Sequence, residues 1–80
     1  MEYHKNTYKN ITYTITPSES KDGYIVSYSL QYTRNGSTYN PPYIYLKNQG
    51  TTSDALFNTE QEAILAAEQH IRLKIDKGEI

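Results

Sequence analysis

Two stretches of the chain alternate strictly between apolar and polar residues, and this pattern constrains the fold more than any other feature. In the first, about residues 9–16, Ile11, Tyr13 and Ile15 alternate with threonines. The second, about residues 24–33, has five positions on its apolar side, namely Tyr24, Val26, Tyr28, Leu30 and Tyr32. Successive side chains of a strand point to opposite faces, so each stretch predicts a half-buried β-strand.

A hairpin and a third strand follow the second stretch. Asn35 and Gly36 form the dipeptide that best suits a type I′ turn, because both of its central residues need positive φ. The chain is then predicted to run back as a strand over about 37–46. Pro41 and Pro42 interrupt this strand and lack backbone N–H groups, which indicates an edge strand, a bulge or a bend.

Two polar segments are predicted to be loops. Pro17 has no N–H for a central ladder, so the first strand is expected to end there and a loop to occupy 18–23. A second loop is predicted over 47–58, with Leu56 and Phe57 as its apolar anchors.

A C-terminal helix is predicted over about 59–77. Thr59 and Glu62 have the spacing of a capping box, in which the hydroxyl accepts the N3 amide and the carboxylate reaches back to the cap N–H. Gly78 suits the residue that follows a helix end. Leu73 falls on the opposite side of the helix from its apolar stripe and is predicted to be exposed. The stripe consists of Ile64, Ala67, Ile71 and Ile75.

These elements predict an α+β fold, a three- to four-stranded antiparallel sheet packed by one C-terminal helix. The helix-facing side is predicted to hold Ile11, Tyr13, Ile15, Val26, Tyr28 and Leu30. Either Ile44 and Leu46 or Tyr43 and Tyr45 complete it. We favour Ile44 and Leu46, since aliphatic groups tolerate dry contact better than phenols, which need a hydrogen-bond partner. Tyr8, Tyr43 and Tyr45 are then expected on the outer face.

The composition predicts one domain over residues 1–80 with a small core. Large aliphatic residues and phenylalanine number only fifteen, and there is no cysteine to form a disulfide. Small domains with a thin core often depend on a metal, a disulfide or a partner subunit. We therefore predict a homodimer at micromolar concentration.

Hydropathy, cysteine content and charge limit the cellular location and the kinds of partner that the sequence predicts. The first ten residues contain no apolar segment typical of a signal peptide, and no run approaches the ~20 apolar residues of a membrane span. The absence of cysteine suits a reducing compartment, so a cytoplasmic location is predicted. The net charge is −1, far from the basic footprint of a duplex-DNA binder.

No pattern of catalytic residues stands out. There is no cysteine, no serine within Gly-x-Ser-x-Gly and no glycine-rich phosphate loop. His4 and His70 are the only histidines and lie far apart in sequence, which disfavours a zinc site. His70 lies about 120° around the helix from the apolar stripe, which favours a solvated or flanking histidine over a catalytic one. We predict no enzymatic activity, no metal and no cofactor.

The nine tyrosines are the compositional feature that bears most on function. Tyrosine is common in strands, but it is also enriched at protein interfaces. We predict a non-enzymatic interaction module that binds a protein partner or itself, through Tyr8, Tyr43, Tyr45 and Leu73. A weak single-stranded nucleic-acid binder is the alternative, in which bases stack on the same face beside Lys9, Arg34 and Lys47.

Two segments resemble a known family. The run Lys-Asp-Gly-Tyr-Ile-Val-Ser-Tyr at 21–28, followed by Thr-Glu-Gln-Glu-Ala at 59–63 and helical Ala and Ile, is similar to HicB-type antitoxins and to small bacterial domains with a sheet and one C-terminal helix. The resemblance implies a bacterial or mobile-element origin. The Pro-rich segment that follows the second strand in HicB-type proteins, and any appended DNA-binding region, are missing, so no functional residue carries over.

Overall fold

A five-stranded antiparallel sheet is covered on one face by a single C-terminal helix in the computed structural model, which describes residues 3–48, 50–51 and 53–79. The predicted α+β class is confirmed, with one or two strands more than expected. The elements are β1 (His4–Tyr8), β2 (Ile11–Ser20), β3 (Gly23–Arg34), β4 (Ser37–Tyr39), β5 (Ile44–Tyr45) and α1 (Glu60–Asp76). The sheet order is β1-β2-β3-β4, and β5 also pairs with β3.

The first strand of the sheet, β1, was missing from the prediction. Lys9 and Asn10 have φ values of 49° and 67°, so they form a two-residue turn that folds β1 back onto β2. This turn places Tyr8 directly opposite Ile11. Residues opposite each other in a ladder share a face, so Tyr8 lies on the helix side of the sheet. The predicted outer position of Tyr8 is wrong.

β2 also continues past the point where Pro17 was expected to end it. β1 accompanies β2 only as far as Ile15, which pairs with His4. Beyond that residue β2 is an edge strand, where an absent N–H on the open side breaks no ladder bond. Pro17 therefore stays in the strand opposite Val26, and the predicted loop at 18–23 shrinks to a turn.

Gly23 begins β3 at a point where only glycine fits. Its φ is 146°, and a Cβ there would lie 2.6 Å from the carbonyl oxygen of Phe57. That close approach lets Tyr24 and Phe57 exchange two backbone hydrogen bonds of 2.8 and 2.9 Å. Phe57 thus anchors the segment before the helix as predicted. Leu56 does not, since it is 49% exposed while Ala55 is buried.

The core lies between the inner face of the sheet and α1. All six residues predicted to face the helix are buried: Ile11, Tyr13, Ile15, Val26, Tyr28 and Leu30. The most deeply buried line of the helix is Ala63, Ala67 and Ile71, with Ile64 and Ile75 partly buried beside it. Small alanine side chains let the helix backbone approach the sheet closely, which explains the small shift from the predicted stripe.

The predicted third strand is broken in two by the prolines. Asn35 and Gly36 take positive φ values of 55° and 80° and join β3 to the short β4, confirming the hairpin. The chain then passes Pro41 and Pro42 before β5 pairs with β3.

The register of β5 settles the question left open by the sequence. Ile44 pairs with Tyr28 and Tyr45 with Ser27, so Ile44 lies on the helix side and Tyr45 on the outer side, as preferred. Ile44 is nevertheless 42% exposed, because β5 lies at the sheet edge and α1 packs on β2 and β3.

Both ends of α1 match the prediction from the sequence, except for one contact of the capping box. The Thr59 hydroxyl accepts a hydrogen bond of 3.1 Å from the Glu62 amide. The Glu62 carboxylate accepts a hydrogen bond from the amide of Asn58, which lies one residue before the cap, instead of from the amide of the cap residue Thr59. Gly78 follows the helix with φ 73°. Within the described residues, no helix has the length and apolar character needed to cross a bilayer.

Candidate binding surfaces

The face of the sheet opposite α1, here called the outer face, is lined with hydroxyl and amide side chains. It includes Lys5 and Thr7 from β1, Thr12, Thr14, Thr16 and Ser18 from β2, and Ile25, Ser27, Ser29 and Gln31 from β3. Strand alternation places these residues away from the core. This face therefore offers mainly uncharged hydrogen-bond donors and acceptors, and Lys5 adds a positive charge at its β1 edge.

Tyr43 rises from the outer face between two depressions. One, of about 280 Å³, is bounded by Thr12, Thr14, Ser29, Leu30, Gln31, Asn40, Pro41, Pro42 and Tyr43. The other, of about 410 Å³, is bounded by Thr16, Ser18, Ser27, Tyr43 and Tyr45. Tyr43 is 66% exposed and lines both, and none of the described residues that line them is charged. Tyr43 and Tyr45 are thus the two predicted site residues that the fold brings together.

Tyr8 belongs to a different part of the molecule. Its hydroxyl donates to Asp76 Oδ1 at 2.9 Å, and the Lys9 ammonium lies 2.6 Å from the same oxygen. The hydrogen bond from Lys9, followed by that from Tyr8, lowers the pKa of Asp76, and Asp76 in turn raises the pKa of Lys9. These contacts tie the first turn to the end of α1, and they leave Tyr8 outside the outer face.

The three cations of the nucleic-acid alternative lie apart from one another, and Lys47 lies beside the second depression, with its ammonium 5.7 Å from the centre of the Tyr45 ring. Lys9 pairs with Asp76, and Lys47 pairs with Asp54. The Arg34 guanidinium lies 5.2 Å from the centre of the Tyr32 ring, which packs on the helix side. Lys9 lies in the turn between β1 and β2, and Arg34 ends β3 at the same end of the sheet. Lys47 lies toward the other end, so these three residues form no basic track across the outer face.

Glu68 is the centre of a polar cluster that sequence reasoning did not identify. It accepts a hydrogen bond of 2.6 Å from the hydroxyl of buried Tyr13, and His4 Nε2 lies 3.2 Å away. Arg72 Nη2 lies 3.6 Å from the same carboxylate. The Tyr13 hydrogen bond is the main cause that lowers the pKa of Glu68, and burial raises the pKa of Tyr13.

This cluster joins β1 and β2 to the helix. Glu68 and Arg72 are one helical turn apart in sequence, but His4 and Tyr13 reach them only through the tertiary fold. Across the part of the chain that the structure describes, no three His, Asp or Glu side chains group closely enough to hold a metal ion. That the protein lacks a metal, a cofactor and enzymatic activity stays a prediction.

The solvent side of α1 carries two exposed leucines. Leu73 is 54% exposed, as predicted from its position on the helix. Leu65 is 57% exposed and was not identified, although it lies eight residues before Leu73 on a related face of the helix. The solvent side of α1 is therefore polar except for these two leucines, which lie about 12 Å apart along the helix axis.

No protein-family model, no curated protein and no solved structure matches this chain. The resemblance to HicB-type antitoxins stays a prediction.

Proposed function

We propose that this protein is a non-enzymatic interaction module that binds a segment of a partner protein across its outer face. The observation that carries the proposal is the exposed ring of Tyr43, which stands between two uncharged depressions. A tyrosine in such a position buries a large area at small cost in side-chain entropy and keeps a hydroxyl for hydrogen bonding.

The backbone before Tyr43 favours this role. Pro41 and Pro42 restrict φ at two successive residues, which reduces the number of conformations open to the segment that presents the ring. A ring held in place before binding loses less freedom when a partner docks. Tyr45 extends the aromatic surface along the second depression and pairs with the buried Ser27 in the ladder.

The chemistry of the depressions indicates the kind of partner. Their polar groups are hydroxyls and amides, so a partner segment of low charge, with exposed backbone or amide groups, fits them best. Binding should then depend little on salt, because no ion pair is screened. Single-stranded nucleic acid is a poorer fit, since phosphate binding needs basic side chains along the strand path.

We place this interaction in the cytoplasm of a bacterium. The gene for the protein would belong to the bacterium or to a mobile element that it carries. The support for this setting is the absence of cysteine and the resemblance to HicB-type antitoxins.

Photo-crosslinking in the native host tests the proposal. A photoreactive benzoylphenylalanine replaces Tyr43 in one variant and Tyr3 in the control, since the two are matched at 66% and 67% exposure. We expect a discrete protein adduct from position 43, identified by mass spectrometry, and none of the same mass from position 3. The absence of a specific adduct at position 43 would refute the proposal.

The nucleic-acid alternative has its own measurement. The purified protein is titrated with labelled single-stranded oligonucleotides at low and high salt. We expect no binding at either salt. A strong signal at low salt that is lost at high salt, and that Tyr43→Ser abolishes, would replace protein binding by nucleic-acid binding.

A further inference from the structure

One edge of the sheet has no neighbouring strand among the described residues. It is formed by β1 and, past the end of β1, by residues 16–20 of β2. The unpaired N–H and C=O groups of such an edge can form a ladder with a strand of another chain. Whether these groups are available decides whether a partner or a second copy can add a strand here.

Four positions turn their backbone groups to the open side of this edge. A two-residue turn joins β1 to β2, so Tyr8 and Ile11 form the hydrogen-bonded pair that closes the hairpin. Alternate residues of an antiparallel strand point their backbone groups in opposite directions. The positions whose groups point outward are Lys5 and Thr7 in β1 and Pro17 and Glu19 in β2.

Asn6 occupies one of the outward donors. The Thr7 N–H donates to Asn6 Oδ1 over 2.8 Å, so this side chain takes the place that a carbonyl of an added strand would fill. Pro17 has no N–H to offer. The two remaining N–H groups belong to Lys5 and Glu19, whose exposed charged side chains resist burial against another strand.

We propose that Asn6 closes the open edge of β1 to strand addition, so that neither a partner strand nor a second copy pairs there. Two copies that paired antiparallel about a twofold axis at Asn6 would place Lys5 of each opposite Thr7 of the other. Each facing pair would exchange two backbone hydrogen bonds, and one of those two needs the Thr7 N–H that Asn6 already holds. The two Lys5 side chains would also lie diagonally on the same face, where like charges repel.

The closed edge lies on the opposite side of the sheet from Tyr43. β1 pairs with β2, whereas β5, which follows Tyr43, pairs with β3. The edge is therefore blocked independently of what binds at Tyr43, and the outer face remains the surface open to a partner. Tests of the edge need no partner protein, so their outcome is separate from that of the proposed function.

Amide hydrogen exchange, followed by NMR on the purified protein, tests the contact. Lys5 and Thr7 are the matched pair, because both amides point outward from the same strand and only that of Thr7 has Asn6 as its acceptor. After correction for intrinsic rates, we expect the Thr7 amide to exchange about tenfold more slowly than the Lys5 amide. The variant Asn6→Ala should remove this difference. The Tyr8 amide, which lies in the ladder with β2, should keep its protection.

Two exchange results would contradict the proposal. Equal exchange at Lys5 and Thr7 in the wild type would mean that the Thr7 amide is open. A loss of protection at Tyr8 as large as that at Thr7 in Asn6→Ala would mean that Asn6 holds β1 onto the sheet and does not act at its edge.

Disulfide trapping tests whether the edge is closed. The native chain has no cysteine, so Lys5→Cys and Thr7→Cys proteins can be mixed and oxidised mildly. Facing positions of paired strands lie within disulfide reach. We expect little mixed disulfide when Asn6 is present, and about tenfold more when both proteins also carry Asn6→Ala. Asn48→Ala, at an exposed asparagine outside β1, is the matched control and should not increase it.

The trapping experiment can also overturn the proposal in two ways. Mixed disulfide that forms as efficiently with Asn6 as without it would show that the edge is open. No mixed disulfide in either background would show that Asn6 is not the residue that closes the edge.

Discussion

The two faces of the sheet use the same residue type in opposite ways. On the inner face Tyr13 and Tyr28 are 0% and 1% exposed beneath α1, whereas Tyr43 on the outer side is 66% exposed. Both groups come from the same tyrosine-rich sequence. The position of the helix, and not the residue type, decides whether a tyrosine fills the core or is available to a partner.

The buried tyrosines also need an environment that the exposed ones do not. The Tyr13 hydroxyl reaches Glu68 at the edge of the core, which satisfies a polar group that would otherwise be costly to bury. The Tyr28 ring meets His70 edge to face, with 5.8 Å between ring centres, and burial raises its pKa. The inner face is therefore sensitive to both packing and protonation, while the outer face should be sensitive to neither.

Replacing a tyrosine on each face gives the largest expected contrast. Tyr28→Ser should cost about 3–5 kcal/mol of unfolding free energy, as for other large-to-small changes in a core. Tyr43→Ser should cost less than about 0.5 kcal/mol, because the ring packs on little. Urea denaturation of both variants measures this contrast. Similar losses would show that the outer face is packed as well.

The two sides of the helix provide the second contrast. Ile71→Ala should cost about 2–5 kcal/mol, because Ile71 is fully buried. Leu73→Ala should cost less than about 1 kcal/mol in the monomer, because its side chain is largely exposed. Thermal melts of dilute samples distinguish them, and equal losses would mean that the helix is turned differently.

Protonation of Glu68, the centre of the polar cluster, is expected to have a smaller effect on stability. Glu68→Gln should cost about 1–3 kcal/mol near neutral pH, since the charged acceptor of Tyr13 is lost. The pKa of Glu68 is lowered in the fold from its ordinary value of 4.5. Its stabilisation is therefore complete above that value and is lost as the pH falls through the lower, folded pKa.

Urea denaturation between pH 7 and pH 3 measures this dependence. The advantage of the wild type over Glu68→Gln should be constant down to about pH 4.5 and should shrink below it. An advantage that does not change with pH would show that the carboxylate charge is irrelevant to the cluster. Glu79→Gln, at an exposed residue beyond α1, is a suitable control.

The smallest expected effect comes from His70. Burial, and then the nearby Lys74 charge, lowers the pKa of His70 below its ordinary value of 6.5. The unfolded chain therefore takes up the proton first, and stability should fall as the pH drops below about 6.5. The variant His70→Gln should show a flatter stability curve between pH 7.5 and 5.5. A curve as steep as that of the wild type would assign the slope to another group.

The sequence predicted the inner face well for a local reason. Alternation within β2 and β3 depends only on the period of a strand, and so the six core positions from Ile11 to Leu30 followed without knowledge of the pairing. Thr59 and Gly78 marked the helix ends through equally local chemistry. Residues 4–8 showed no such alternation, and β1 was missed because only its pairing with β2 makes it a strand.

The candidate surfaces were predicted in part. Tyr43 and Tyr45 lie on the outer side, as the preferred face of the third strand required. The depressions beside Tyr43 could not be predicted, because they depend on where Pro41 and Pro42 return the chain across β3. Glu68 was overlooked because its partners, His4 and Tyr13, are more than fifty residues away in sequence.

The sequence by itself therefore determined the strand faces, the turn at Asn35 and Gly36, and the extent of the helix, since each depends on neighbouring residues. Only the tertiary structure decided which tyrosines are buried, which side of the sheet Tyr8 lies on and how far β2 continues past Pro17. Those outcomes depend on pairing across the sheet and on the direction from which α1 covers it. Contacts between distant residues have no local pattern, so they exist only once the chain has folded.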